Sequence, residues 1–452
     1  MKNSFVFILI IIFNISLYSQ SNENSTNSKI SINLEQALDL AVQNDKTLKQ
    51  AEYDVRIAQT QKDASFSDLF LPSLTVSGGL NLSEPKEYQY ENFNTGVYSS
   101  ADTWSAQATL SKTLFTGFRN WNTDKAREIN LRMMKETYFD ERKNVAINTQ
   151  LNFYNTFVAQ ENYKVYYQQQ LNYSNRMRES YIKYRNGQVS EYEYLNAKVQ
   201  YESTKPQLVT LSNNYENLKL TFIRQIGLTN VTDEVELIGN ILDATKIALP
   251  DLDINVILDL IMANNIELNN MANNIEMLEY NRKVARSYLW PTLSANANVG
   301  ITTIDKLKLD NNMDFYKDRS GEFSWGVGFS LNYALDSLLP FSSTAKAAEE
   351  IQLSIDQMEI SYKQLRDNIE INSRNLISTA KSQELTLQSQ AENAKTAAYA
   401  LQMAQRQYRG GTISTLELND AELTYLNAQL AYLQAIYEYF SSTLQVLKLL
   451  GA

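Results

Sequence analysis

The chain has 452 residues, 41 of them basic and 51 acidic, for a formal net charge of -10, with no cysteine and no histidine. These absences exclude a disulfide framework, a lipid on an N-terminal cysteine, and the usual near-neutral base and metal ligand, so no cofactor or metal is expected. The acidity argues against nucleic acid as a partner and would favour cations in any enclosed water path.

Met1 to Gln20 carries Lys2, the apolar run Phe5 to Phe13 and the exit Ser16-Leu17-Tyr18-Ser19-Gln20. That pattern predicts a secretory signal peptide over residues 1–20, removed near residue 19 or 20. Its apolar core is too short to span a bilayer as a helix, and no later segment has about 18 consecutive apolar residues. Export is expected, and a helical membrane anchor is not.

Asn33 to about Phe70 reads as a helix, because Leu34, Ala37, Leu38, Ala41 and Val42 share one apolar face. Leu71-Pro72 ends it, since the residue before a proline is pushed out of helical geometry. The period then changes to two. Leu74, Val76, Gly78, Leu80 and Leu82 alternate with small or polar residues, as do Trp104, Ala106, Ala108, Leu110 and Leu114. A second pair repeats this: Leu293, Ala295, Ala297, Val299 and Ile301, then Phe323, Trp325, Val327, Phe329, Leu331, Tyr333 and Leu335.

Four strands, apolar on one face and small or polar on the other, suit a transmembrane barrel. A soluble sheet packed on a helix needs the same alternation. Two details favour lipid. Trp104, Trp121, Trp290 and Trp325 fall at or near predicted strand ends, where membrane-interface aromatics belong. The polar faces also carry small uncharged residues, suited to a wet lumen. Because a barrel needs at least about eight strands, four per chain predict an oligomer. Glu84 to Asp102 and Thr303 to Glu322 read as outer surface loops.

Each strand pair is followed by a stretch without proline or glycine, from about Asn120 to Arg185 and from about Ser343 to Arg409. At 1.5 Å per residue, each predicts a helix of about 100 Å. A free-standing coiled coil is the alternative, but no strict heptad is evident. Glycine ends both helices, at Gly187 and at Gly410-Gly411. Ser190 with Glu193, and Ser414 with Glu417, then predict capping boxes that start return helices over Glu191 to Ile226 and Thr415 to Leu450. Pro206 should kink or break the first of these. Gly227 to about Asp253 reads as an irregular packing segment on the outside of the helical body.

The halves match in order. Leu38-Asp39-Leu40 with Asn44 recurs as Leu258-Asp259-Leu260 with Asn264, and Leu71-Pro72-Ser73-Leu74 as Trp290-Pro291-Thr292-Leu293. Tyr184-Arg185-Asn186-Gly187 recurs as Tyr408-Arg409-Gly410-Gly411, and Arg224-Gln225-Ile226-Gly227 is echoed by Lys448-Leu449-Leu450-Gly451. The expected organisation is a first repeat over 21–228, an inter-repeat segment over 229–253 and a second repeat over 254–452.

Helix, strand, loop, strand, long helix, glycine turn and return helix, done twice, resembles the TolC-like outer-membrane efflux proteins. The most specific stretches are Tyr408 to Ala421 and the parallel Tyr184 to Ala197. The resemblance implies a mainly α chain with a four-stranded β segment. It implies a homotrimer with a 12-stranded outer-membrane β-barrel continued by a long α-helical periplasmic barrel. It also implies a passive duct that an inner-membrane efflux pump or ABC exporter and a periplasmic adaptor serve, in a Gram-negative outer membrane surrounded by lipid. Cargo in such systems ranges from drugs and metal ions to whole proteins.

By the same resemblance, Glu417 and Asp420 fall where the family places acids that ring the closed periplasmic aperture. They are three apart and share a helix face, so three chains would bring six carboxylates together. Capping explains Glu417 equally well. Glu193 and Tyr408 match positions whose contacts hold the aperture shut. Some relatives pair an arginine with the acid equivalent to Glu193, but this chain has Ile413 there. A latch would then rely on Tyr408 with Glu193, or on Arg409.

A periplasmic coiled-coil adaptor or structural protein without a pore is the competing class. Its helical hairpin would join compact β domains, whereas here strands interrupt the helices twice. Catalysis is not expected, since no histidine, cysteine or phosphate loop converges with the acidic pairs.

Overall fold

The computed structural model describes residues 30–82, 86–88, 97–99, 101–228, 235–250, 253–309 and 315–451. The expected signal peptide and much of the Glu84–Asp102 stretch lie outside the described residues. A short strand β1 (Ile30–Ile32) leads into α1 (Leu34–Asn44) and α2 (Lys46–Phe70). The single helix expected here is thus two. Asp45 adopts extended geometry (φ -60°, ψ 132°), and its Oδ1 accepts from the N–H groups of Thr47 and Leu48 at 2.8 and 2.9 Å. An aspartate that caps the next helix ends the previous one, although the apolar spacing runs through it.

Strand β2 (Ser73–Asn81), the short β3 (Lys86–Tyr88) and β4 (Val97–Ser99), and β5 (Ala101–Phe115) follow. Then come the 67-residue α3 (Arg119–Arg185) and α4 (Glu191–Gln225). Of the kink or break expected at Pro206, the break does not occur, since α4 runs through it. The hydroxyls of Ser203 and Thr204 donate to the carbonyls of Gln200 and Tyr201 just ahead of it, at 2.8 and 2.7 Å. Neither replaces the bond a proline cannot make, which would run to the Glu202 carbonyl four residues back.

The linking segment contains β6 (Val235–Leu237), which pairs in parallel with β1, and a 3₁₀ turn at Ile241–Lys246. It is part of a core. Val235, Leu237, Ile241 and Ala244 are buried in one cluster with Phe153, Phe157, Phe222 and Phe440.

The second half gives α5 (Ile254–Asn264), α6 (Ile266–Ser287), β7 (Thr292–Leu309), β8 (Phe315–Asn332), α7 (Ser343–Arg409) and α8 (Thr415–Leu450). Asn265 repeats the break made by Asp45, its Oδ1 accepting from Leu268 N–H at 3.0 Å. A second core joins Ile257, Leu258 and Ile261 to Ile377, Ala380 and Val446. Among the described residues, no helix is long and apolar enough to cross a membrane.

β2, β5, β7 and β8 form one four-stranded antiparallel sheet in that order, with β2 and β8 as its edges. Strands β7 and β8 run on into the Thr303–Glu322 stretch expected to be loop. Ile301-Thr302-Thr303-Ile304 is β-branched throughout, and such residues extend a ladder whatever their polarity. At its other end β8 stops at Asn332, and Leu335, expected as its last apolar residue, lies in a 3₁₀ turn over Leu335–Leu338.

Candidate functional site

Two regions carry chemistry, the sheet and the far end of the helices. In register, Leu74 faces Leu110, which faces Ala297, which faces Val327; one row on, Val76, Ala108, Val299 and Trp325 line up. The apolar alternation of four separate segments thus becomes one continuous apolar face. Among the described residues it is largely uncovered: Val76 is 76% exposed, and Trp325 and Phe329 are 73% exposed. No described helix packs on it, as one would on a water-soluble sheet of this alternation.

The opposite face is polar. Ser73 and Ser111 hydroxyls lie 2.6 Å apart, and Ser294 donates to Thr113 Oγ1 at 3.4 Å. Asn296 and Asn298 stand opposite Gly328 and Gly326. A Cβ at either glycine would come within 3.1 and 3.0 Å of the asparagine Oδ1. The missing side chains therefore make room for the amides.

All four tryptophans are exposed. Trp121 lies in the first turn of α3 and Trp290 just before β7. Trp104 pairs with Leu80 inside β5, and Trp325 with Val299 in the body of β8. Trp325 is therefore not at a strand end, because β8 begins earlier than its alternation suggested.

At the far end both long helices close in the same way. Gly187 (φ +69°) and Gly411 (φ +74°) hold left-handed geometry. Gln188 N–H bonds the Lys183 carbonyl and Gly187 N–H that of Tyr184, both at 2.9 Å. Thr412 and Gly411 repeat this on Gln407 and Tyr408, both at 3.0 Å. These are two Schellman turns, which need a glycine to avoid left-handed strain.

The restarts differ. Ser414 and Glu417 form the expected capping box: Glu417 N–H donates to Ser414 Oγ at 3.2 Å, and Ser414 N–H to the Glu417 carboxylate at 2.7 Å. The Ser414 N–H bond first, and then a bond from the Ser414 hydroxyl to the same carboxylate at 2.9 Å, hold the Glu417 carboxyl below the usual glutamate range. Ser190 accepts from Glu193 N–H at 3.3 Å, but the return bond is not among those of the described residues, so this box is half made. Among the described residues Glu193 and Tyr408 are not bonded to each other; the Tyr408 hydroxyl accepts from Thr415 Oγ1 at 3.5 Å. Lys183 lies in the field of both. Its bond to Glu179, at 2.7 Å, is the main cause of a pKa above the usual lysine range, with Tyr408 and Glu193 adding to it. Asp420 is exposed.

A cleft of about 720 Å³ opens behind the turns, lined by Tyr408, Arg409, Ile413, Lys183, Glu179, Arg176 and Glu422 among others. Tyr408 and Arg409 thus share one cleft, while Glu193, Glu417 and Asp420 lie outside its lining. Sequence reasoning missed the residues behind it. Arg176 donates to Asn419 Oδ1 and to the Glu422 carboxylate in a pair whose side chains are only 12% and 5% exposed. One signal existed: Glu422 sits midway between the buried Leu418 and Leu426, on the apolar stripe of its helix.

Helices of about 100 Å joined to a sheet whose apolar face is bare among the described residues are the pattern of a membrane-inserted protein. Solved structures share this fold. The CmeC outer membrane channel of Campylobacter jejuni matches at a TM-score of 0.74 with 20% identity, over 98% of this chain and 93% of that one. VceC of Vibrio cholerae, an outer membrane protein, matches at 0.70 with 14% identity, over 93% and 96%. The open-state MtrE outer membrane channel of Neisseria gonorrhoeae matches at 0.67 with 15% identity, over 93% and 89%. No curated protein matches the chain. The chain belongs to the TolC-like outer membrane efflux protein family, whose model matches residues 16–227 and 257–452.

Proposed function

We propose that three copies of this chain build a passive channel through the outer membrane of a Gram-negative cell. It passes small toxic molecules or secreted proteins received from an inner-membrane efflux pump or ABC exporter and a periplasmic adaptor. The observation that carries this is the open sheet. Its edges β2 and β8 end the hydrogen-bond ladder of one chain, and its apolar face is bare. Open edges cannot sit in hydrocarbon, so neighbouring copies must pair β8 with β2, giving a closed barrel of twelve strands. The polar face then lines the lumen and the tryptophans meet lipid.

The helices support the same assembly. Leu353, Ile360, Ile371, Leu385, Tyr399 and Met403 of α7 are 57–66% exposed in one chain. They recur along one side of the helix, as residues buried against a neighbour do. In the trimer α3, α4, α7 and α8 form the periplasmic tunnel. The two halves, 21–228 and 254–452, act as quasi-equivalent repeats, and the signal peptide directs export before its removal near residue 19 or 20. Six carboxylates from Glu417 and Asp420 make the periplasmic aperture cation-favouring, with Glu193, Tyr408 and Arg409 at its closure.

Purified protein should run as a heat-resistant trimer in detergent. In planar bilayers it should show small conductance favouring potassium over chloride, and Asp420→Asn should weaken that preference. A water-soluble monomer without conductance would overturn the proposal.

A further inference from the structure

The two halves of the sheet repeat residue for residue. The step along the chain that carries Pro72 onto Pro291 also carries Ser73 of β2 onto Thr292 of β7. The step that carries Trp104 onto Trp325 carries Ser111 of β5 onto Asn332 of β8. Ser73 faces Ser111, and Thr292 faces Asn332. Leu80 with Trp104 becomes Val299 with Trp325 in the same way, and both pairs are present. Two landmarks in the sequence thus carry one strand pairing onto the other.

The β5–β7 seam joins the second strand of one half to the first strand of the half that follows. There Leu110 faces Ala297, Ala108 faces Val299, Thr109 faces Asn298 and Ser111 faces Asn296. The open edges are the same two kinds of strand, since β8 is the second strand of its half and β2 the first of its own. The same steps turn Leu110 into Leu331 and Ala108 into Phe329. Reversed, they turn Ala297 into Gly78 and Val299 into Leu80.

We propose that the seam between copies repeats the β5–β7 register, so that Leu331 of one copy stands opposite Gly78 of the next and Phe329 opposite Leu80. This rests on the channel reading and adds to it the residues that meet. Both faces of the sheet agree with it. Leu331, Phe329 and Leu80 are exposed in the single chain and meet on the apolar side. Ser330 stands opposite Gly79 and Asn332 opposite Ser77 on the polar side. A slip of one residue would set apolar positions against polar ones along the whole seam. A slip of two would keep the faces matched but stagger the seams between copies differently from those within, and strand tilt would then vary around the wall.

The chain has no cysteine, so introduced pairs report contacts without background. Within one chain β5 and β7 lie between β2 and β8, which puts those edges about 14 Å apart, beyond the reach of a disulfide. Any link is therefore between copies. The test uses the full-length protein in detergent, oxidised with copper phenanthroline and read as linked dimers and trimers on denaturing gels. A Cβ at Gly78 meets nothing nearer than the Ser105 carbonyl oxygen at 3.7 Å, so a side chain fits there. Gly78→Cys with Leu331→Cys should link, and so should Leu80→Cys with Phe329→Cys, which tests the register without touching the glycine. Val76→Cys with Leu331→Cys, and Leu80→Cys with Leu331→Cys, place the sulfurs two residues out of register. Such diagonal neighbours stand about 7–8 Å apart, so these variants should stay unlinked. Links in a shifted pair in place of the matched ones, or no link in any pair of an intact trimer, would overturn the register and leave the trimer standing. Protein that is monomeric before oxidation and links in no pair would sink the channel reading and the register with it.

Discussion

Asn44 Nδ2 donates to the Ile226 carbonyl at 3.2 Å, so the last residue of α1 caps the C-terminus of α4 from 182 positions away. Asn264, the last residue of α5, does the same to the Leu450 carbonyl at 3.4 Å. A helix end leaves its final carbonyls without intrahelical donors. Here an amide from the opening helix of each half supplies one, and that ties the start of each half to its finish.

Gly227 shows how tight this closure is. It holds φ +84°, and a Cβ there would come within 2.3 Å of Asn44 Cβ. Gly227→Ala combines left-handed strain, about 1–2 kcal/mol, with overpacking of about 1–3 kcal/mol. Gly411→Ala meets the same strain at φ +74° with nothing within 4 Å, so it should cost only about 1–2 kcal/mol. Denaturant titration of the two variants should rank Gly227→Ala clearly lower. Equal losses would mean that Asn44 does not crowd Gly227.

The aromatic core makes a larger prediction. Phe440 is fully buried and packs on Tyr154, in a cluster holding residues from both halves and from the linking segment. Phe440→Ala should cost about 3–5 kcal/mol, the usual range for emptying a phenylalanine site. Thermal unfolding of the solubilised protein followed by circular dichroism would measure it. A loss below about 1 kcal/mol would mean that the cluster does not hold the halves together.

Much of this architecture is legible along the chain, for identifiable reasons. The ends of α3 and α7 fall within a residue of where the sequence places them, because glycine and the serine caps mark helix ends locally. The breaks at Asp45 and Asn265 are not legible from spacing. Leu38, Ala41 and Leu48 keep helical period across a single residue whose ψ has flipped. Strand ends were hidden too, since threonine and isoleucine beyond the expected limits of β7 favour strand as strongly as its apolar face. At the far end, the glycine turns and the Ser414–Glu417 box are local patterns and can be read. The Arg176–Glu422 pair cannot, because its partners lie 246 residues apart.

The capping box gives a pH dependence with a definite sign. Ser414 holds the Glu417 carboxyl below its usual range. A depressed carboxylate stabilises the fold above its unfolded pKa and loses that contribution as pH falls through the folded value. Amides 415–418 should therefore open progressively as pH drops through the acid range below the ordinary glutamate pKa. Glu417→Ala should flatten that dependence and leave the amides equally open at neutral pH. Site-resolved hydrogen exchange at several pH values checks this, and a wild-type profile as flat as the variant's would contradict it.

The sheet makes the prediction that bears most on the channel. Val327 stands on the bare face, in the row that runs from Leu74 through Leu110 and Ala297. Ser330, three residues along the same strand, faces the polar side, since successive residues alternate between faces. Val327→Arg should cost about 2–4 kcal/mol if its row lies near the bilayer midplane, and should lower the yield of heat-resistant trimer. Ser330→Arg faces water and should leave assembly intact while lowering cation preference. A water-exposed sheet would tolerate both arginines alike, since neither site would leave solvent. Unequal trimer yields, with Val327→Arg the poorer, would therefore separate a membrane wall from a soluble one using a single strand.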